Sequence, residues 1–320
     1  MGYDVSFHPV PIALIHERIL PYVQGRGSID DLIDRASEIA AVRFRANAWG
    51  LGLVELDEKA RPERFDTDLH VWGRPFFVAD ESPEDVSKTI DRYLASKSGD
   101  VDAIACEAIG KLTAGSKKGG IDVVPSSEGV LPDLKDRRQG IRWKIDLFRD
   151  AFKARKEGRP VKTPDGDEHD PSGLFESDFP LAVMELAASI QPGWMARGYV
   201  WPTCLIAEAD LEIPDYVTNA RAIFSPILRD VPNLGAHLED TIHQNYTLGG
   251  YVPADDVPQF RRFMESNLDA LAAPSAEDDW EDACRLALRK IIEALYDAER
   301  RKMGFVEASE IYSGPMGIMN

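Results

Sequence analysis

Residues 275–304 carry a pattern that only a long helix satisfies. Trp280, Cys284, Leu288, Ile291 and Leu295 recur at helical spacing and make one apolar stripe. Ser275, followed by Glu277 and Asp278, fits a capping pattern, and Glu277, Asp278 and Asp279 set negative charge against the positive helix end. Arg300, Arg301 and Lys302 close the last turn, with Gly304 the expected residue just past it. Such a helix, with a single apolar face, has to lie on another layer, which commits the chain to a layered fold with a shared core. Cys284, on the stripe, is expected in that core.

Other helices show the same marks. Ser28 and Ser82 each precede acids in a capping pattern (Ser28-Ile29-Asp30-Asp31 and Ser82-Pro83-Glu84-Asp85). Apolar periodicity predicts helices over 11–20, 100–112 and 258–271, the first interrupted by Pro21. A further helix is expected to open at Ser177 or Asp178 and end near Ile190, and a shorter one to cover 219–228. Strand signals are fewer: 3–7, ending at Pro9, then 51–56, 71–78, 121–124 and 200–213. No βαβ rhythm and no fixed-period repeat appears, so the expected class is α+β, a helix-rich, irregular mixed architecture with short strands. The Gly-, Ser- and Pro-rich stretch from Gly115 to Pro132 breaks periodicity on both sides. It suggests residues 1–115 as an N-terminal α+β lobe, 116–136 as a linking loop and 137–320 as a helix-rich C-terminal lobe. A single domain with two long surface loops, the second over 158–173, accounts for the same punctuation.

The charge is uneven. The 320 residues hold 37 Lys and Arg against 55 Asp and Glu, a net of −18. Yet Lys135 to Lys162 has 11 bases and four acids, so this segment is +7 and the rest −25. Ile141, Ile145, Phe148 and Phe152 make it an amphipathic basic helix, with Arg138, Arg142, Lys144 and Arg149 as the residues that would meet phosphates. The acidic remainder would repel a polyanion, so the expected role of these bases is pairing with the protein's own acids, not nucleic-acid binding. No run approaches the ~18 apolar residues of a membrane-spanning helix. The opening MGYDVSFHPV has no basic stretch leading into an apolar run, so no signal peptide is expected. Cys106, Cys204 and Cys284 are odd in number and far apart, which points to a reducing, cytoplasmic setting and to packing roles.

Catalytic patterns are thin. Asp66, Asp68 and His70 would share a face if the segment is extended, and that set could hold a divalent metal. His237, Asp240 and His243 would span a loose arc on a helix. Either set defines the alternative reading, a metal-dependent hydrolase. The Gly110–Lys117 stretch reverses the Ser and Lys of a phosphate loop, and no nucleophile elbow occurs. The expectation is therefore no cofactor, no metal and no catalytic constellation.

Two stretches carry a family likeness. Met1-Gly2-Tyr3-Asp4-Val5-Ser6-Phe7-His8 is similar to the first strand of many small bacterial immunity proteins. Residues 249–258, Gly249-Gly250-Tyr251-Val252-Pro253-Ala254-Asp255-Asp256-Val257-Pro258, resemble a strand-to-helix passage among such proteins. The resemblance implies a cytoplasmic bacterial protein that binds and blocks a cognate toxin without chemistry of its own, and it carries over no functional residue. Together with the acidity, it leads to the expectation of a non-enzymatic binder of a basic protein partner. The candidate contacts are the acidic loop Asp165, Asp167, Glu168 and Asp170, with the acids Asp255 and Asp256; no membrane partner is expected.

Overall fold

The computed structural model describes residues 4–115, 121–126, 133–163, 166–242, 247–273, 281–309 and 311. The chain begins with β1 (Asp4–Val10), α1 (Ile12–Leu14), a π-helical turn (Ile15–Ile19), α2 (Leu20–Val23) and α3 (Asp30–Val54). It continues with α4 (Thr67–His70), α5 (Pro83–Ala95), α6 (Val101–Thr113) and α7 (Leu134–Glu157). A hairpin of β2 (Val161–Lys162) and β3 (Glu168–His169) leads into α8 (Pro171–Ile190), β4 (Trp194–Arg197) and α9 (Pro202–Glu208). After β5 (Thr218–Asn219) and a 3-10 turn (Ala220–Phe224) come β6 (Leu248–Val252), α10 (Val257–Ser266) and α11 (Leu268–Ala272). The described chain closes with α12 (Glu281–Arg301) and β7 (Gly304–Ser309).

The main sheet is antiparallel, in the order β4-β1-β7-β6-β5. It takes β1 from the first expected lobe and its other strands from the second, so both share one sheet. Helices cover both faces. Val5, Phe7 and Phe305 point into a core with α5, α6, α10 and α12, while Val10, Val306, Ala308 and Leu248 point into a second core with α7 and α8. The class is thus helix-rich α+β, as the pattern of short strands and long helices indicates. No helix among the described residues is long and apolar enough to cross a membrane.

Local chemistry explains most boundaries. Ser82 Oγ accepts the Asp85 N–H at 3.1 Å and Pro83 fills the first turn of α5. Gly158, at φ +66°, ends α7 in the left-handed region. Pro21 does not stop the first helical segment: the preceding turn widens to π, with Leu20 N–H reaching Ile15, and the chain passes on into α2. α8 opens earlier than its apolar run suggests, because Asp170 accepts the Ser172 N–H and Pro171 starts the helix, which then runs through Pro180.

Several expected strands are something else. Residues 51–56 end α3; the apolar alternation there reflects glycines that admit a neighbour, since a Cβ on Gly52 would lie 2.0 Å from the Val124 carbonyl oxygen. Segment 71–78 is a series of turns, and 121–124 is unladdered chain against α3. Within 200–213, Pro202 sits at the first helical position and starts α9. β1 outlasts Pro9 because β4 has already ended there, leaving one side of the strand no ladder to lose. At the end of α12 it is Lys302, not Gly304, that turns left-handed (φ +55°), and Gly304 begins β7. The cap at Ser275 and the side chain of Trp280 lie outside the described residues.

Candidate functional site

The metal-binding geometry of the alternative reading at Asp66, Asp68 and His70 does not form. The segment is a helical turn, not an extended strand, so alternate residues diverge. Asp66 caps α4, accepting the Leu69 N–H at 3.1 Å, and Asp68 is exposed. His70 is buried, its Nδ1 2.6 Å from the Val78 carbonyl and its Nε2 3.4 Å from that of Arg64. Burial, then the Arg74 charge, lowers its pKa to about 4. The second set fares similarly: His237 lies in a turn rather than a helix, Asp240 is exposed, and His243 is outside the described residues. Among the described residues no group of three His, Cys, Asp or Glu side chains is placed to hold a metal.

Two of the three cysteines take the expected packing role and one does not. Cys204 and Cys284 are buried, whereas Cys106 is exposed on the outer side of α6. Burial, then Glu307 and Glu208, pushes the Cys204 thiol far above the ordinary range, which leaves it unreactive.

Four bases of the basic helix are engaged from within. Arg138 pairs with Asp34, Arg142 with Asp30, and Lys144 with Glu185 at 2.6 Å. Arg149 lies over the Tyr22 ring and donates to its hydroxyl at 2.8 Å. Ile145, Phe148 and Phe152 face the second core.

Of the expected acidic loop, Asp165 lies outside the described residues and Asp167 is exposed. Glu168 is tied to Lys162 at 2.9 Å, and Asp170 is the cap of α8. The loop borders a hollow of about 560 Å³ whose wall also carries Arg155 and Arg159, so its local charge is mixed.

A more strongly acidic shelf appears where α9 runs out. Glu208, Asp210, Glu212 and Asp215 are exposed, while the intervening Leu211, Ile213 and Tyr216 pack on the core. Asp210 takes φ +55°, a left-handed turn Asp tolerates better than most residues. Tyr216 meets Phe260 of α10 edge-on, 6.3 Å between ring centres. Burial, then the nearby Asp256 carboxylate, raises its phenol above the ordinary range. That contact places the 208–216 segment beside the β6–α10 turn, so exposed Asp255 and half-buried Asp256 extend the shelf. None of these six acids forms an ion pair with a described residue. The signal is in the sequence, an acid at alternate positions from 208 to 212, a period that a strand and an extended surface segment share.

A second constellation was not visible beforehand. On α12, Lys290, Glu293 and Asp297 are all buried, on a stripe beside the apolar one. Arg74 grips Glu293 with two hydrogen bonds, 2.9 and 2.5 Å, and gives a third, 2.7 Å, to the Val78 carbonyl. Trp194 Nε1 donates to Glu293 at 3.2 Å, and Arg289 reaches it from the surface at 3.2 Å. Asp297 accepts from Ser87, from Gln191 at 3.1 Å and from Arg301 at 2.7 Å. Their heptad spacing, 290 to 297, was the available signal.

No family model matches the chain, no curated protein matches it, and no solved structure matches it. Fold and surface chemistry are therefore the ground for a functional reading.

Proposed function

We propose that this chain is a non-enzymatic, acidic protein-binding protein, an immunity protein that neutralises a cognate bacterial toxin in the cytoplasm by occluding a basic surface of it. The observation that carries the reading is the shelf of Glu208, Asp210, Glu212, Asp215, Asp255 and Asp256, exposed or half-buried and without ion-pair partners among the described residues. The basic helix α7 supports it indirectly: its Arg138, Arg142 and Lys144 are paired with Asp34, Asp30 and Glu185, not with the shelf. Such a field speeds encounter with a basic partner and fixes its orientation, while apolar contact and shape hold it. Tyr216, wedged between the acids, is the aromatic anchor the reading assigns to the centre of the contact.

The test compares the natural chain with a variant carrying Asp210→Asn, Glu212→Gln, Asp215→Asn, Asp255→Asn and Asp256→Asn. Immobilised natural protein should retain one stoichiometric basic protein from the host's lysate at low salt. The variant should associate with that protein at least tenfold more slowly, and added salt should erase the difference. Co-expression should protect cells from the captured protein. No stoichiometric basic partner, or equal association by the variant, would overturn the proposal.

A further inference from the structure

We propose that Lys290 is a reactive amine site that forms Schiff bases with small, uncharged aldehydes entering a notch between α4 and the edge strand β4. The notch has a volume of about 40 Å³ and is lined by Asp68, Trp72, Met195, Ala196, Arg197 and Lys290. A space of that size holds a few non-hydrogen atoms. Lys290 is 4% exposed, the one buried lysine among the described residues, and its Nζ makes no hydrogen bond or ion pair with any of them. Gly73 lets the amine through: a Cβ there would lie 2.5 Å from Lys290 Cε and 3.0 Å from Nζ. Asp68 and Arg197, both exposed, form the outer rim, and Arg197 leans on Asp4 at 3.4 Å.

The surroundings favour a free amine over a fixed ion pair. Asp68, Asp66 and Glu293 attract the ammonium and Arg74 repels it, but burial outweighs them and brings the pKa to about 8. At pH 7.5 about a quarter of such an amine is unprotonated, against about one part in a thousand for an ordinary lysine. The same three carboxylates disfavour anionic oxo acids, which limits the ligand class to neutral aldehydes.

In the reaction the Nζ lone pair bonds to the carbonyl carbon while the C=O π pair moves to oxygen, which takes a proton from water. The Nζ proton passes to the Asp68 carboxylate. The carbinolamine hydroxyl takes the proton back from Asp68 and leaves as water, and the remaining N–H proton goes to the hydroxide left in the first step, leaving C=N. The net change is amine plus aldehyde to imine plus water, with no oxidant or reductant consumed.

The probe is formaldehyde at limiting concentration with cyanoborohydride to reduce the imine, applied to the folded full chain at pH 7.5. Methylation is then mapped to each lysine by mass spectrometry. Lys290 should be methylated at least tenfold faster than exposed Lys88, and benzaldehyde, too large for the notch, should show no such preference. Unfolding in urea should abolish the difference. Equal or slower labelling of Lys290 in the natural folded chain would overturn the proposal, and that readout depends on no variant folding.

Discussion

Breaking the Arg74–Glu293 pair from either side should be costly, and the two sides should not cost the same. Both groups are essentially dry, with side-chain exposures of 0% and 1%. Removing one partner of such a pair leaves a buried charge behind, typically ~3–5 kcal/mol. In Arg74→Met the orphan is Glu293, which keeps Trp194 Nε1 and the half-exposed Arg289 as donors. The Val78 carbonyl also keeps its contact with His70 Nδ1. A carboxyl can take up a proton besides, so this change belongs near ~3 kcal/mol. In Glu293→Leu the orphan is a guanidinium, which cannot shed its charge, and the Trp194 indole loses its acceptor. That change belongs near ~5 kcal/mol. For 320 residues the range corresponds to a fall in Tm of about 4–8 °C. The double replacement restores an apolar contact and should recover most of the loss, a coupling of at least ~2 kcal/mol. Urea titrations of the four proteins measure it, provided m is unchanged. Singles within ~1 kcal/mol of the natural chain, a reversed order, or a double no better than Glu293→Leu would refute the reasoning.

Glycine positions give opposite signs. Gly110 and Gly140 lie in exposed helical turns with nothing within 4 Å of an added Cβ, so Gly110→Ala and Gly140→Ala should each stabilise by ~0.5–1 kcal/mol. Gly52→Ala drives a methyl into the Val124 backbone and should cost ~1–3 kcal/mol in the same thermal melts. The buried histidines set an acid limit. His8 and His70 are lowered to about 3 and about 4, chiefly by burial, from 6.5. Both are therefore neutral in the fold, and below pH 6.5 the unfolded chain binds protons the folded chain refuses. Stability should fall as pH drops from 6.5 toward 4, with His70 contributing on the order of 3 kcal/mol across that window. In His70→Gln the slope of unfolding free energy against pH near 5 should shrink by about 1.4 kcal/mol per pH unit; an unchanged slope would remove His70 from the account.

The helices were the legible part of this fold because their signals are local. The cap at Ser82, the stripe on α12 and the apolar face of α7 each follow from residues within a few turns of one another. Strands were harder, since their partners lie far away: β1 pairs with β7 some 300 residues later. A strand covered on both faces also loses the polar alternation that marks an ordinary antiparallel edge. Ser6 and His8 look like outward residues in the sequence and are 0% exposed, under the second layer of helices. The false strands at 51–56 and 200–213 arose for a related reason. Glycines that admit a neighbour's backbone, or a proline that opens a helix, interrupt helical periodicity without ending the helix.

The surface chemistry divides along the same line. Most of the shelf needed only the knowledge that the segment after α9 leaves a short helix and lies along the surface; four of its six acids lie within eight residues, 208–215. The acidic loop at 166–170 looked equally promising as a string of letters. Its meaning changed because Lys162 pairs across the hairpin, Arg155 and Arg159 share its hollow, and Asp170 is occupied as a cap. A sequence count of charge cannot separate free acids from engaged ones, and here the distinction moves the expected contact from one end of α8 to the end of α9. The polar stripe on α12 is the converse case. Lys290, Glu293 and Asp297 read as a solvated flank because an amphipathic helix ordinarily has one. This helix is enclosed by α5, α10 and the sheet, so its flank is interior, and each charge there must find a partner or change its protonation. Glu293 and Asp297 found partners; Lys290 has none among the described residues. Burial lowers its pKa to about 8.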